Sequence, residues 1–202
     1  MSARSAIVPP DTVSREMSVL RQSLLHGRAI AVAGGVPDAV REALAALGAR
    51  VEAIGDEERL GEDEERVGDW ARERAPLDAI VYDARGAFGD GGDAALTAAL
   101  ELAWTAVREV ATGALIPADG PGKVLLIGPR PDAGSFAEAG RAALENLART
   151  LSIEWARYGV TAAMVAPGVA STDEQLAELV SFLVSEAGGY ISGCRLELGT
   201  TA

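Results

Sequence analysis

The chain has 202 residues, of which 49% are hydrophobic and 24% charged, a composition typical of a globular protein large enough to bury a core. Its formal net charge of −12 makes nucleic acid and anionic membranes unfavourable partners. A single cysteine, Cys194, excludes a disulfide framework, and no apolar stretch is long enough for a leader or a membrane span, so we expect a cytoplasmic protein.

Two residue types are so scarce that whole classes of chemistry become unfavourable. His26 is the only histidine and Lys123 the only lysine. One histidine and one cysteine cannot form a His/Cys metal cluster, so we expect no metal site. A Ser-His-Asp arrangement would have to use His26, which precedes the first predicted strand.

The first 28 residues are predicted to be an N-terminal extension, and residues 29–202 a single domain. Within the extension, apolar residues recur at helical spacing and predict a short helix over about 13–25. They are Val13, Met17, Leu20 and Leu24.

A βαβ unit follows the extension. The run "AIAVAGG" (29–35) predicts a buried strand that ends in Gly34 and Gly35. A helix with Val40, Leu44 and Leu47 on one face comes next, and "RVEAI" is a second strand. Strand, helix and strand in this order predict a parallel pair with a right-handed crossover.

The rest of the chain alternates helices and strands. The acidic segment 55–76 is predicted to become helical in its second half, and a glycine-rich loop is expected at 85–93. Continuous apolar runs, typical of buried parallel strands, alternate with amphipathic helices, which predicts a doubly wound α/β sheet. The predicted strands are 77–84, 123–128, 161–168 and 194–199, and the predicted helices 94–113, 137–157 and 173–186.

From about residue 25 to residue 200, the chain resembles the short-chain dehydrogenases/reductases. Five stretches carry the resemblance, in the order of the family's motifs: "GRAIAVAGG", "LDAIVYDARG", "GKVLLIGP", "LENLARTLSIEWARYGVTAAMVAPG" and "LVSFLVSEAGGYISGCRLELG". The resemblance implies a Rossmann-like domain. The family's third strand has no counterpart, because the acidic run "GDEERLGEDEER" stands in its place, so we expect six strands with the second at one edge.

The glycine turn that binds the cofactor in this family is altered. The family pattern T-G-x-x-x-G-x-G lets backbone N–H groups approach the pyrophosphate. Here the helix starts directly after Gly35, with Pro37 at its first position and the carboxylate of Asp38 in its first turn. We therefore expect NAD(P) binding to be lost, with Gly34, Gly35 and Asp83 as residual candidates for cofactor contact. The acids around Asp56 disfavour the 2′-phosphate of NADP.

The resemblance also implies that the family's catalytic residues are missing. Pro129 holds the position of its Ser, Ala137 that of its Tyr and Arg141 that of its Lys. In the family a Lys one helical turn after the Tyr lowers the pKa of the phenol. None of Tyr82, Tyr158 and Tyr190 has a Lys or Arg four residues later, and the substrate loop is cut to "VASTDEQ".

Other polar and aromatic residues are assigned structural roles. Asp132 and Ser135 are read as turn and helix-cap residues rather than as a catalytic acid and hydroxyl. Asp83 stands at the end of a central strand, where it either faces a ligand crevice or caps a neighbouring helix, the reading we favour. Cys194 is read as a buried apolar residue, Trp104 and Trp155 as packing residues and His26 as a surface residue.

These observations predict a catalytically silent homologue of the family, a structural or regulatory subunit. It is expected to pair with itself or with an active relative through the helices 94–113 and 137–157, as the family's dimers do. One alternative is an oxidoreductase with a remodelled site that uses Asp83, Ser135 or Arg141. The other is a sensor that binds a nucleotide or acyl ligand in the residual crevice.

Overall fold

The structure, a computed structural model, describes residues 23–55, 64–89 and 91–199. Six parallel strands form one sheet in the order β2-β1-β3-β4-β5-β6. The strands are β1 (Ala29–Gly34), β2 (Arg50–Ala53), β3 (Ala79–Asp83), β4 (Gly122–Ile127), β5 (Val160–Pro167) and β6 (Cys194–Leu198). The predicted doubly wound sheet of six strands with the second at an edge is confirmed.

Helices cover both faces of the sheet. They are α1 (Asp38–Ala46), α2 (Glu64–Arg74), α3 (Arg85–Phe88), α4 (Asp93–Val110), α5 (Ala137–Glu154) and α6 (Asp173–Val184). One apolar cluster lies between the sheet and α2, α4 and α5, and a second lies between the sheet and α1 and α6. Strands buried on both faces are continuously apolar, which is why their sequences show no alternation.

Two segments differ from the sequence prediction. The loop expected at 85–93 contains the short helix α3, which begins directly after β3. The helix expected over 94–113 leaves α-helical geometry at Val110 and continues as a π-helix, Ala111–Leu115, and a 3-10 turn, Ile116–Ala118. The π-helix packs against α2, with Gly113 close to the Cβ atom of Ala71.

Most of the predicted N-terminal helix lies outside the described residues. Its last part, residues 23–25, lies in a turn, where Ser23 has a φ of 63°. The helical prediction is therefore wrong for these residues. Asp56 and the first half of the acidic segment also lie outside the described residues, whereas the second half forms α2 as expected.

None of the helices in the described ranges has both the length and the apolar character that a membrane span requires. Nor do the described residues contain a group of three or more histidine, cysteine or acidic side chains placed to hold a metal ion.

Candidate functional site

A crevice of about 690 Å³ opens at the carboxyl ends of the central strands, where β1 and β3 lead to opposite sides of the sheet. In doubly wound sheets this point of reversal is where ligands bind. The first turns of α1 and α6 and the loop after β4 also border the crevice. Its lining residues are Gly35, Pro37, Arg85, Gly86, Pro129, Arg130, Asp132, Ala133 and Asp173.

The glycine that ends β1 is needed for the contact between β1 and β3. Gly34 has a φ of 71°, and a Cβ atom there would come 2.1 Å from the backbone oxygen of Asp83. The N–H of Gly35 donates a 3.1 Å hydrogen bond to the same oxygen. Both residual glycines thus lie against the end of β3, and only Gly35 lines the crevice.

Residues of α1 form an ion pair and a hydrogen bond with one another and with the backbone at the start of this helix. Pro37 is the N-cap residue, one position earlier than the sequence predicted, and Asp38 is the first helical residue. Asp38 pairs with Arg41, whose guanidinium also donates a 2.7 Å hydrogen bond to the oxygen of Val36. The first turn of α1 therefore carries a carboxylate that is paired with an arginine of the same helix.

A buried ion pair lies at the point where the strand order reverses. Asp83 is fully buried, and its two carboxylate oxygens accept hydrogen bonds of 2.7–3.0 Å from the guanidinium of Arg85. Asp83 also accepts the backbone N–H of Arg85 at 2.9 Å, at the start of α3. Arg85 reaches on to Asp173, at 3.3 Å, in the first turn of α6. This ion-paired group connects β3 to α6 across the crevice.

Burial dominates the protonation equilibrium of this carboxyl group. Burial raises the pKa of Asp83, and the hydrogen bonds and charge of Arg85 oppose that shift only in part. Desolvation of a carboxylate is costly, so a buried Asp needs the arginine fork to stay ionised.

A second arginine ties two loops together at the rim of the crevice. Arg130 donates hydrogen bonds to the backbone oxygens of Ser171 (2.9 Å) and Val169 (3.3 Å). The five-residue connection 168–172 between β5 and α6 is thereby held against the loop after β4. The shortened substrate loop was predicted at 169–175, and its last three residues belong to the first turn of α6.

Arg141, in α5, is fully buried and faces the ends of three strands. Its guanidinium donates hydrogen bonds of 2.8 Å to the backbone oxygens of Pro129 and Pro167 and to a carboxylate oxygen of Glu197. Nε lies 3.1 Å from Oε1 of Glu138. Burial and the nearby charge of Arg195 lower the pKa of Arg141, but an arginine stays protonated at neutral pH.

Neither Pro129 nor Ala137, at the other two positions that the resemblance assigns to catalytic residues, carries an ionisable group. Ala137 begins α5 and is buried, and Pro129 lines the crevice just beyond β4. Of the three tyrosines, Tyr82 lies inside β3, while Tyr158 and Tyr190 are exposed. None of the three belongs to the crevice lining.

The remaining sequence candidates occupy separate places. Asp132 and Ser135 lie in turns before α5, but the helix has Phe136 as its N-cap and no side-chain cap, so the cap prediction is wrong. Cys194 is half-buried, and burial raises the pKa of its thiol. Trp104 is 39% exposed with the guanidinium of Arg108 5.7 Å from its ring centre, so it is not a core residue.

His26 is exposed, and Trp155 packs at the edge of the core. Sequence reasoning missed Arg85, Arg130 and Glu197 as partners in the site. The spacing "DAR" after a buried strand was the available signal for Arg85, since an arginine two residues after a buried carboxylate can fold back on it. Nothing in the local sequence indicated the contacts of Arg130 and Glu197, which join distant segments.

No family model and no curated protein matches the chain. Solved structures do match its fold: a citronellol catabolism dehydrogenase of Pseudomonas aeruginosa has a TM-score of 0.71 at 22% identity, covering 90% of this chain and 97% of that one. A hydroxysteroid dehydrogenase of Escherichia coli has a TM-score of 0.71 at 17% identity, with 88% and 98% covered.

A putative NAD(P)-dependent gluconate 5-dehydrogenase of Beutenbergia cavernae, with bound NADP, has a TM-score of 0.69 at 21% identity, with 86% and 95% covered. At these identities the comparisons establish the fold. The chain therefore has the doubly wound architecture of these dehydrogenases.

Proposed function

We propose that this chain is a catalytically silent member of the short-chain dehydrogenase/reductase family that serves as a structural or regulatory subunit. One observation carries the proposal: Arg141, which holds the position of the family's Lys, is fully buried and bound to Pro129, Pro167 and Glu197. A guanidinium with these partners joins the ends of β4, β5 and β6. It has no phenol beside it whose pKa it would lower, because Ala137 stands one turn earlier.

The residues of the crevice do not fit a nicotinamide dinucleotide. Gly34 and Gly35 are followed closely by Pro37 and α1, so the second glycine of the family pattern, which lets the backbone approach the pyrophosphate, has no counterpart. Arg85 spans the crevice between two carboxylates, and Asp38 adds a third acid at the start of α1. The carboxylates on both sides of Arg85 offset the positive charge that would attract a pyrophosphate.

The subunit role is supported by the surface of α4 and α5, the helices that pair in the family's dimers. Trp104 in α4 is 39% exposed, and Ile153 in α5 is 75% exposed. Phe136, at the start of α5, is 38% exposed. These three side chains lie on or beside the two helices, and an association through these helices would cover them. The partner is a second copy of this chain or a catalytically competent relative.

One observation favours a second candidate, a binding protein for an anionic ligand without chemistry. The crevice keeps a volume of about 690 Å³, within the range of small-molecule sites, and two arginines, Arg85 and Arg130, line it. A nucleotide or acyl ligand would place its anionic group at Arg130, which binds backbone oxygens rather than a carboxylate. No equivalent observation favours a remodelled oxidoreductase, because Asp83 and Arg141 are both engaged in buried contacts.

Thermal unfolding in the presence of cofactors tests the proposal. We expect millimolar NAD or NADP, oxidised or reduced, to leave the midpoint unchanged. A ligand present at 100 times its Kd would stabilise the fold by about 2.7 kcal/mol, so a clear upward shift would contradict the proposal. Stabilisation by coenzyme A alone that is lost in Arg130→Met would instead establish the second candidate.

A further inference from the structure

An apolar groove of about 280 Å³ runs along the outer surface between α1 and α6, on the opposite face of the sheet from α4 and α5. Small side chains form most of its walls, so the two helix backbones are open to close approach by a third segment. The lining residues are Ala39, Ala43, Ala46, Leu47, Glu174, Ala177, Glu178 and Ser181.

Ser181 gives the groove an unmet hydrogen-bonding requirement. The residue is fully buried, and its hydroxyl has no hydrogen-bond partner among the described residues. A buried hydroxyl without a partner costs free energy, and such groups are rare in folded proteins. The groove wall therefore carries a hydroxyl whose hydrogen-bonding capacity is not used within the described residues.

The chain enters the described part of the molecule beside the groove. The N–H of Leu25 donates a 2.9 Å hydrogen bond to the oxygen of Leu47, which lies at the same end as Ser181. Leu24 packs against the apolar cluster that also contains α1 and α6. Residues 1–22 are thus attached within one or two residues of the groove.

The sequence of that segment matches the groove in length and character. Val13, Met17 and Leu20 recur at helical spacing, and nine residues of helix extend about 13 Å. The stretch of α1 from Ala39 to Leu47 has the same number of residues. The first 22 residues carry three arginines and two acids, whereas the whole chain has a net charge of −12, so the segment is attracted to the body.

We propose that residues 13–21 bind in the groove between α1 and α6 of the same molecule, with Val13, Met17 and Leu20 against the alanines. Arg21, on the flank of the apolar stripe, then lies near Glu178. The segment covers an apolar face that would otherwise be open to association. It leaves the surface of α4 and α5 as the face available to a partner subunit.

Disulfide trapping in the full-length chain tests this arrangement. In a Cys194→Ala background, Met17→Cys is combined with Ala43→Cys in the groove. The matched control combines Met17→Cys with Ile153→Cys, which is exposed on the opposite face of the sheet. A disulfide requires Cβ atoms about 3.5–4.5 Å apart, so we expect the groove pair to oxidise within one chain at least about ten times faster than the control.

Equal rates for the two pairs would overturn the proposal. A groove disulfide that links two chains would also overturn it, because a second copy would then fill the groove. Amide hydrogen exchange provides a readout without cysteines. Leu20→Asp should raise exchange in residues 174–184 several-fold, whereas Ser18→Asp, on the other side of the predicted stripe, should not. Equal exchange in both variants would contradict the docking.

Discussion

The guanidinium of Arg141 lies 2.8 Å from the backbone oxygen of Pro167, the last residue of β5. The same guanidinium binds the oxygen of Pro129 beyond β4 and the carboxylate of Glu197 in β6. One side chain thus satisfies polar groups at the ends of three neighbouring strands. The arginine is accounted for by these contacts without reference to a reaction.

Replacing Arg141 should therefore destabilise the fold. Arg141→Met leaves two buried carbonyl groups without donors, so we expect the free energy of unfolding to fall by about 2–4 kcal/mol in urea denaturation. The matched control is Arg149→Met in the same helix, because Arg149 is 60% exposed and pairs with Glu145 at the surface. Exposed pairs contribute about 0–1 kcal/mol, so equal losses in the two variants would contradict the structural role.

Gly34 should be intolerant of any side chain because of its contact with Asp83. Gly27 and Gly34 have similar φ values, 77° and 71°, but a Cβ atom at Gly27 would meet no atom within 4 Å. Gly27→Ala measures backbone strain alone and should cost about 1–2 kcal/mol. We expect Gly34→Ala to cost at least about 2 kcal/mol more in chemical denaturation. Similar costs for the two variants would contradict the claim that the close approach of β1 and β3 excludes a side chain at Gly34.

Arg85 should be required mainly because it neutralises Asp83. Arg85→Met leaves a buried carboxylate without its partner, which costs roughly 3–5 kcal/mol, whereas Arg85→Met combined with Asp83→Asn should cost much less. The folded-state pKa of Asp83 already lies above its ordinary value because of burial. A group whose pKa is higher in the folded state stabilises that state more at low pH than at high pH. The loss of unfolding free energy caused by Arg85→Met should therefore be smaller at pH 5 than at pH 8.

Urea denaturation of the single and double variants at both pH values measures this coupling. A penalty that is independent of pH, or a double variant as unstable as Arg85→Met, would contradict the assignment. The ion pair of Arg108 and Glu64, at the surface between α4 and α2, serves as the control. The variants Arg108→Met and Glu64→Gln should show a coupling energy below about 1 kcal/mol.

Lys123 should react with amine reagents at lower pH than an ordinary lysine. It lies in a pocket at the amino ends of β4 and β5, and burial, together with the charge of Arg28, lowers the pKa of its amine. Because it is the only lysine, mass spectrometry can follow its acetylation separately from that of the N-terminus. Arg28→Gln should shift the pH profile upward, and identical profiles for both proteins would contradict the effect of Arg28.

The lowered pKa of Lys123 also makes the free energy of unfolding depend on pH. An amine whose pKa is lower in the folded state binds fewer protons there than in the unfolded chain. Stability therefore rises with pH between the folded-state pKa of Lys123 and its unfolded value near 10.5.

The sheet could be predicted from the sequence because its order depends on local signals. Continuous apolar runs such as residues 122–127 and 160–167 identify buried strands, and helices between them force parallel pairing. The number of six strands could also be predicted, because the acidic run offers no apolar segment for a further strand. Short helices and the π-helix at Ala111–Leu115 escaped prediction because they have no periodicity of their own and depend on packing against α2.

The site was less predictable, because its contacts join residues far apart in sequence. Arg141 could be identified as the occupant of the Lys position, but not its burial or its bond to Glu197, 56 residues later. Asp83 was expected to cap a helix or face a ligand. It does bind the first N–H of α3, but its main partner is the guanidinium of Arg85. Side-chain direction at the end of a strand is decided by tertiary packing, which local sequence does not contain.

Native mass spectrometry of the protein purified from its own host tests the central claim most directly. We expect an oligomer without nicotinamide cofactor, either of this chain alone or with a longer dehydrogenase that has its Tyr and Lys in place. An assembly of this chain alone that carries the extra mass of NAD or NADP would contradict this claim, because the crevice between Gly35, Arg85 and Asp173 would then accept the cofactor that its residues disfavour.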